Sequence, residues 1–244
     1  VINLKNVIVV VLLPSVISLI GTMVGASVGV FLKNPSKRLM SIILGFAAGV
    51  MLSIVVFDLI PESIETRSFS GTIIFLIIGI LIIMTLDNLI QGKNKEGSPH
   101  YKLAFLTALG LMLHNFPEGI IMGCSFMAGK TLGLKMSIII AIHDIPEGMA
   151  VSAPLMLSRV KVSKILTYVF ITALPTALGA WLGIFLGSVS ENVLGSCLAL
   201  ASGIMLYISC GELLPESNNQ WNGIAGTVGM LAGVILGLLM IKLI

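Results

Sequence analysis

Two short stretches of this 244-residue chain carry side chains suited to holding a metal ion. They are His114-Asn115-Phe116-Pro117-Glu118-Gly119 and His143-Asp144-Ile145-Pro146-Glu147-Gly148. Residues four apart share one face of a helix, so His114 lies over Glu118 and His143 over Glu147. Asn115 and Asp144 each follow the His by one position, turned by about 100° around the axis. Imidazole nitrogen with carboxylate and amide oxygen, and no thiolate, suits Zn2+, Fe2+, Mn2+ or Cd2+ better than Cu+. Each stretch also has a proline three residues after its His. Pro117 and Pro146 cannot donate backbone hydrogen bonds, so the carbonyls of Leu113 and Ile142 are expected to be left free and the helices to kink.

The elements that carry these stretches are set by composition. The chain is 57% hydrophobic and 10% charged, whereas a soluble domain is about a quarter charged. Most of its outer surface must therefore face lipid. A span needs roughly 20 mostly apolar residues, and eight stretches qualify: about 7–32, 39–60, 70–91, 103–127, 133–157, 163–187, 193–214 and 222–243. These predict an all-α polytopic membrane protein with a single transmembrane domain over 1–244. The first stretch lacks a small-residue cleavage site and reads as a permanent helix. Cys124, Cys197 and Cys210 form no Cys-x-x-Cys pair, which supports neither a disulfide framework nor a thiolate metal site. A net charge of +3 does not point to nucleic acid here, because the basic residues fall in the joins between spans.

Those basic residues give an orientation. The first, third and fifth joins hold Lys33, Lys37, Arg38, Lys93, Lys95, Lys102, Arg159, Lys161 and Lys164. The opposite side holds Lys5, Arg67, Lys130, Lys135 and Lys242. Nine against five predicts cytoplasmic joins on the first side and both termini outside.

The chain also repeats itself at an offset of 154 residues. Gly49-Val-Met51-Leu-Ser-Ile-Val-Val-Phe-Asp58-Leu-Ile-Pro-Glu62-Ser63 returns as Gly203-Ile-Met205-Leu-Tyr-Ile-Ser-Cys-Gly-Glu212-Leu-Leu-Pro-Glu216-Ser217, and Gly25, Gly29 and Phe31 match Gly179, Gly183 and Phe185. Five spans separate the copies, so they run in opposite directions through the bilayer. Such an inverted repeat is a recurring transporter plan with its site near the midplane. The predicted arrangement is 3+2+3, with helices 1–3 and 6–8 repeated and the two His motifs on the fourth and fifth. Gly21/Gly25/Gly29, Gly179/Gly183/Gly187 and Gly229/Gly233/Gly237 put small residues every four positions, which allows close helix packing.

Ionisable groups at mid-membrane cost ~2.5–3.5 kcal/mol each on insertion scales. His114, Glu118, Asp144 and Glu147 would carry that penalty unless a divalent cation or internal pairing offset it. One His–Glu pair alone would read as a structural hydrogen bond; two copies in consecutive spans read as a site. Met51 and Met205 are by type apolar filler, and His100, in a polar loop, reads as solvated. Asp58, Glu62, Glu212 and Glu216, near span ends, read as interface anchors or as acidic steps along an ion path.

At these residues the sequence resembles the ZIP (ZRT/IRT-like protein) family of divalent metal transporters, most closely its GufA-like prokaryotic branch. The resemblance covers essentially the whole chain. It implies uptake of Zn2+ and related ions into the cytoplasm across the cell membrane, by one helix bundle sliding against another, as a possible homodimer. The cation is cargo, with no resident cofactor. By motif position it implies His114, Asn115 and Glu118 as fourth-helix ligands, Asp144 and Glu147 as fifth-helix ligands, and Met51 as a further contributor. His143 falls at a variable position that tunes metal preference, and Glu212 on the cytoplasmic exit. Two departures stand out: Leu174-Pro175 where many relatives have Glu-Pro, and Gly211 where His is common. The first implies one bound ion in place of two. The short Gly92–Lys102 loop has a single His, against a His-rich metal sensor.

Two other classes use similar residues. An intramembrane metal-dependent hydrolase would need the His-Glu-x-x-His pattern, which these motifs do not match. A proton or anion carrier could use the carboxylates as relays. No Gly-x-x-x-x-Gly-Lys-Ser/Thr loop is present for ATP.

Overall fold

The computed structural model describes residues 4–31, 35–93, 99–186 and 191–243. Within these, the side chains of Lys5, Lys93, His100, Lys102 and His143 lie outside the described set, as do Lys33 and Lys95 altogether. Eight helices are long and apolar enough to cross a membrane. They are α1 (Leu4–Phe31), α2 (Lys37–Thr66), α3 (Phe69–Lys93), α4 (Pro99–Ala128), α5 (Lys130–Leu157), α6 (Val162–Leu186), α7 (Asn192–Gln220) and α8 (Ile224–Leu243). The predicted all-α polytopic class is the observed one.

The expected boundaries miss at two equivalent places. Spans read as ending near 60 and 214 continue as helix to Thr66 and Gln220. At each place the helix passes through one wide π turn, Val55–Leu59 in α2 and Ile208–Leu213 in α7. Ile60 N–H bonds the Val55 carbonyl and Leu214 N–H bonds that of Ser209, five residues back in both. The next residue is Pro61 or Pro215, which lacks an N–H and whose ring crowds the carbonyl four residues back. The extra residue in the turn relieves that crowding, and the helix resumes with proline in its first turn. Pro117 and Pro146 stand inside α4 and α5, which continue as helix on both sides of them.

Packing is organised by glycine crossings, and the crossings obey the 154-residue offset. A Cβ on Gly25 would overlap the Ile145 carbonyl, and on Gly179 that of Phe116. Likewise Gly148 lies on Thr22 and Gly119 on Thr176. In the other half, Gly49 lies on Met230 and Gly203 on Leu76, while Gly233 lies on Phe46 and Gly79 on Leu200. Each of these contacts has a repeat-related twin, with Phe116/Ile145 and Gly119/Gly148 exchanging between α4 and α5. The twins pair α1 with α5, α6 with α4, α2 with α8 and α7 with α3. Two groups result: α1, α4, α5 and α6 in one, α2, α3, α7 and α8 in the other.

Where a glycine faces a backbone carbonyl, a larger side chain has nowhere to go. Gly49→Val and Gly203→Val should each destabilise by about 1–3 kcal/mol or more, lowering the unfolding midpoint of detergent-solubilised protein by about 2–4 °C per kcal/mol. Gly211→Ala, whose Cβ would meet only Tyr207 ring atoms at 3.7 Å, should leave the midpoint near native.

Candidate metal site

The two motif helices lie side by side, and their polar residues are turned inward. His114, Asn115, Glu118, Asp144 and Glu147 are each at most 4% exposed. His114 Nε2 stands 3.1 Å from Glu118 Oε1 on its own helix and 3.5 Å from Glu147 Oε1 on α5. The i, i+4 spacing accounts for the first contact; the second exists only because α4 and α5 pack together.

The neighbouring helices hold the other two side chains. Ser18 Oγ of α1 donates to Asp144 Oδ2 at 2.5 Å. Asn115 Nδ2 donates to the Thr172 carbonyl of α6 at 2.8 Å. That anchor leaves Asn115 Oδ1 as a buried acceptor without a hydrogen-bond partner, an arrangement that costs about 1–3 kcal/mol in a dry interior. No Lys or Arg is among the buried described residues. Among the described residues, no three His, Cys, Asp or Glu side chains stand at metal-ligand spacing.

A cavity of about 350 Å³ reaches this cluster from one face of the membrane. Glu118 lies at its inner end, and Asp58 and Glu62 of α2 line its wall with Ser125, Met136 and Leu198. Asp58 lies within the wide turn of α2, and the cavity it lines with Glu62 is the one that Glu118 lines. On the side towards Gly110, α4 packs against α7. A Cβ on Gly110, one turn before His114, would meet Ile208 Cγ1 at 2.8 Å. Glu212 and Glu216, the counterparts of Asp58 and Glu62, lie beyond that contact on α7, where Gln220 Nε2 donates to Glu216 Oε1 at 2.6 Å.

Some expectations are relocated. Met51 is buried in the apolar core with its repeat partner Met205. His143 is on α5, with its side chain outside the described set. Leu174 is not placed to substitute for a ligand: it is 43% exposed, while Thr172 and Thr176, on the face against α4, are 2% exposed. Among the buried polar residues that the sequence reading did not single out are Ser18 and Asp87. Ser18 gave little signal, a hydroxyl in an apolar stretch. Asp87 of α3, which accepts from Tyr207 at 2.7 Å, was visible as a lone acid in an apolar span.

Comparison with known proteins agrees with this architecture. A family model described as ZIP zinc transporter matches residues 90–241. The chain is 33% identical to the zinc transporter ZupT of Salmonella heidelberg (strain SL476), over 95% of this chain and 97% of that protein. It is 31% identical to the zinc transporter ZupT of Chlorobium phaeovibrioides (strain DSM 265 / 1930), over 91% and 93%. For the zinc transporter ZupT of Clostridium perfringens (strain 13 / Type A) the identity is 29%, over 96% and 95%. With its eight spans, paired motifs and this similarity along nearly its full length, the chain belongs to the ZIP family.

Proposed function

We propose that this multi-pass membrane protein carries divalent cations, Zn2+ foremost, into the cytoplasm through the buried cluster of His114, Asn115, Glu118, Asp144 and Glu147. The observation that carries the reading is the contact of His114 with Glu118 and Glu147 at the end of an acid-lined cavity. The family's transporter character and the zinc transporters among its relatives support cation cargo over hydrolysis or anion transfer. The excess of Lys and Arg in the first, third and fifth joins supports placing the cavity mouth outside.

In this cycle Asp58 and Glu62 raise the local concentration of cations, as like-charged cleft walls do. The ion then replaces the His114–glutamate contacts at the cavity's end. Transfer needs the open and closed sides to exchange, and the glycine crossings suit a sliding motion. They interlock backbones inside each four-helix group. Where Gly110 of α4 faces α7, by contrast, it meets the side chains of Ile208 and Ile204, with no backbone atom among its nearest neighbours. Side chains can change rotamer and slip where interlocked carbonyls cannot. Once the cluster passes Ile208, Glu212 and Glu216 are the next acids along the route.

Purified protein in liposomes tests the site. His114→Ala and Glu147→Ala should each reduce Zn2+ uptake by at least the 10–100-fold typical of losing a metal-site partner; uptake at the native rate by both would refute the assignment. Asp58→Asn with Glu62→Gln should raise the KM several-fold at low ionic strength and keep Vmax, with the difference shrinking in high salt as surface charge is screened. A disulfide joining Gly110→Cys to Ile208→Cys should halt uptake until it is reduced, if the two groups must slide.

A further inference from the structure

We propose that Ser18 is a positioning residue that sets how Asp144 meets the ion and thereby favours Zn2+ over larger cations. The inference rests on the reading of Asp144 as a cargo ligand.

The hydroxyl behaves unlike most others in the helices. Ser27, Ser125, Ser137 and Ser202 each donate to the carbonyl four residues back on their own helix, the usual resting place for a helical hydroxyl. Ser18, 1% exposed, instead reaches across to α5 and donates to Asp144 Oδ2 at 2.5 Å. The Ser18 carbonyl is taken up within α1 by Thr22 Oγ1 at 3.2 Å. The Gly21 crossing on Ala141 lies level with this bond, and the Gly25 crossing on Ile145 and the Gly148 crossing on Thr22 lie one turn further along, so α1 and α5 are held together where Ser18 meets Asp144.

The inverted repeat places a counterpart at the same point. Ser18 corresponds to Thr172, and Asp144 to Asn115. At the second copy the direction is reversed: Thr172 Oγ1 donates to Val169 within α6 at 2.7 Å, and the Thr172 carbonyl accepts from Asn115. One position in the repeat thus orients one candidate ligand on each central helix. Only Ser18 does so with a side chain, and only Ser18 acts on a carboxylate.

The consequence is chemical. A hydroxyl proton held on Oδ2 fixes the orientation of the carboxylate, as outer partners do for metal ligands, and disfavours bidentate coordination by Asp144. Zn2+ is satisfied by four ligands. Larger, hard cations take more oxygens and use bidentate carboxylates. Removing the hydroxyl should relax that discrimination. Partners of metal ligands are typically worth 10–100-fold in affinity.

The experiment compares native protein, Ser18→Ala, Ser18→Thr and Asp144→Ala in proteoliposomes, with Zn2+ and Mn2+ competing for uptake. Ser18→Ala should raise the Zn2+ KM by about 10-fold, keep Vmax, and shift the uptake ratio toward Mn2+. Ser18→Thr, which keeps the hydroxyl, should restore both. If Ser18→Ala keeps the native KM and ratio while Asp144→Ala loses uptake, the inference is wrong and the site assignment stands. A shift shared equally by Ser18→Thr would also overturn it, since the hydroxyl would not be the cause. Native uptake by Asp144→Ala would instead overturn the site assignment. Zn2+ binding to each solubilised variant by calorimetry, alongside its unfolding midpoint, separates lost affinity from lost fold.

Discussion

Holding one imidazole and three carboxyl groups together inside a bilayer is the constraint on which this structure depends. Each such group is costly in hydrocarbon, and removing one partner of a buried charge pair commonly destabilises by about 3–5 kcal/mol. The chain meets this cost with geometry. Glu118 approaches His114 along one helix, Glu147 approaches it from the next, and Ser18 and the Thr172 carbonyl anchor the flanking residues. The cluster also keeps one buried amide oxygen, Asn115 Oδ1, without a hydrogen-bond partner.

That geometry is only as good as the helices around it, and the glycines supply the needed closeness. Without a hydrophobic force between helices in lipid, association relies on close packing and hydrogen bonds. The crossings of Gly25, Gly148, Gly119 and Gly179 bring α1 and α6 against the motif helices at the level of the ligands themselves. The same residues that let backbones touch therefore bring Ser18 within reach of Asp144. Stability and site construction are one interaction here, not two.

The twofold logic is broken in one respect. Asp58 and Glu62 open onto a cavity ending at Glu118, whereas Ile208 packs against Gly110 where α4 meets α7. The wide turns before Pro61 and Pro215 stand at equivalent places in the two halves. They show how one local rule, proline's missing donor, is used twice.

Much of this was legible in the sequence because it is periodic or compositional. Apolar length set the eight spans, the 154-residue offset set the repeat, and i, i+4 spacing put His114 over Glu118. What escaped depends on phase and contact between distant segments. Sequence spacing cannot tell which way residue 174 faces, and Leu174 turned out to face outward. Nor could it reveal that helices 2 and 7 absorb a proline by widening a turn when helices 4 and 5 do not. The Ser18–Asp144 bond joins residues 126 apart and exists because two helices cross where glycine has no side chain. The ligand types were written in the chain; their orientation was decided only by helices meeting in three dimensions.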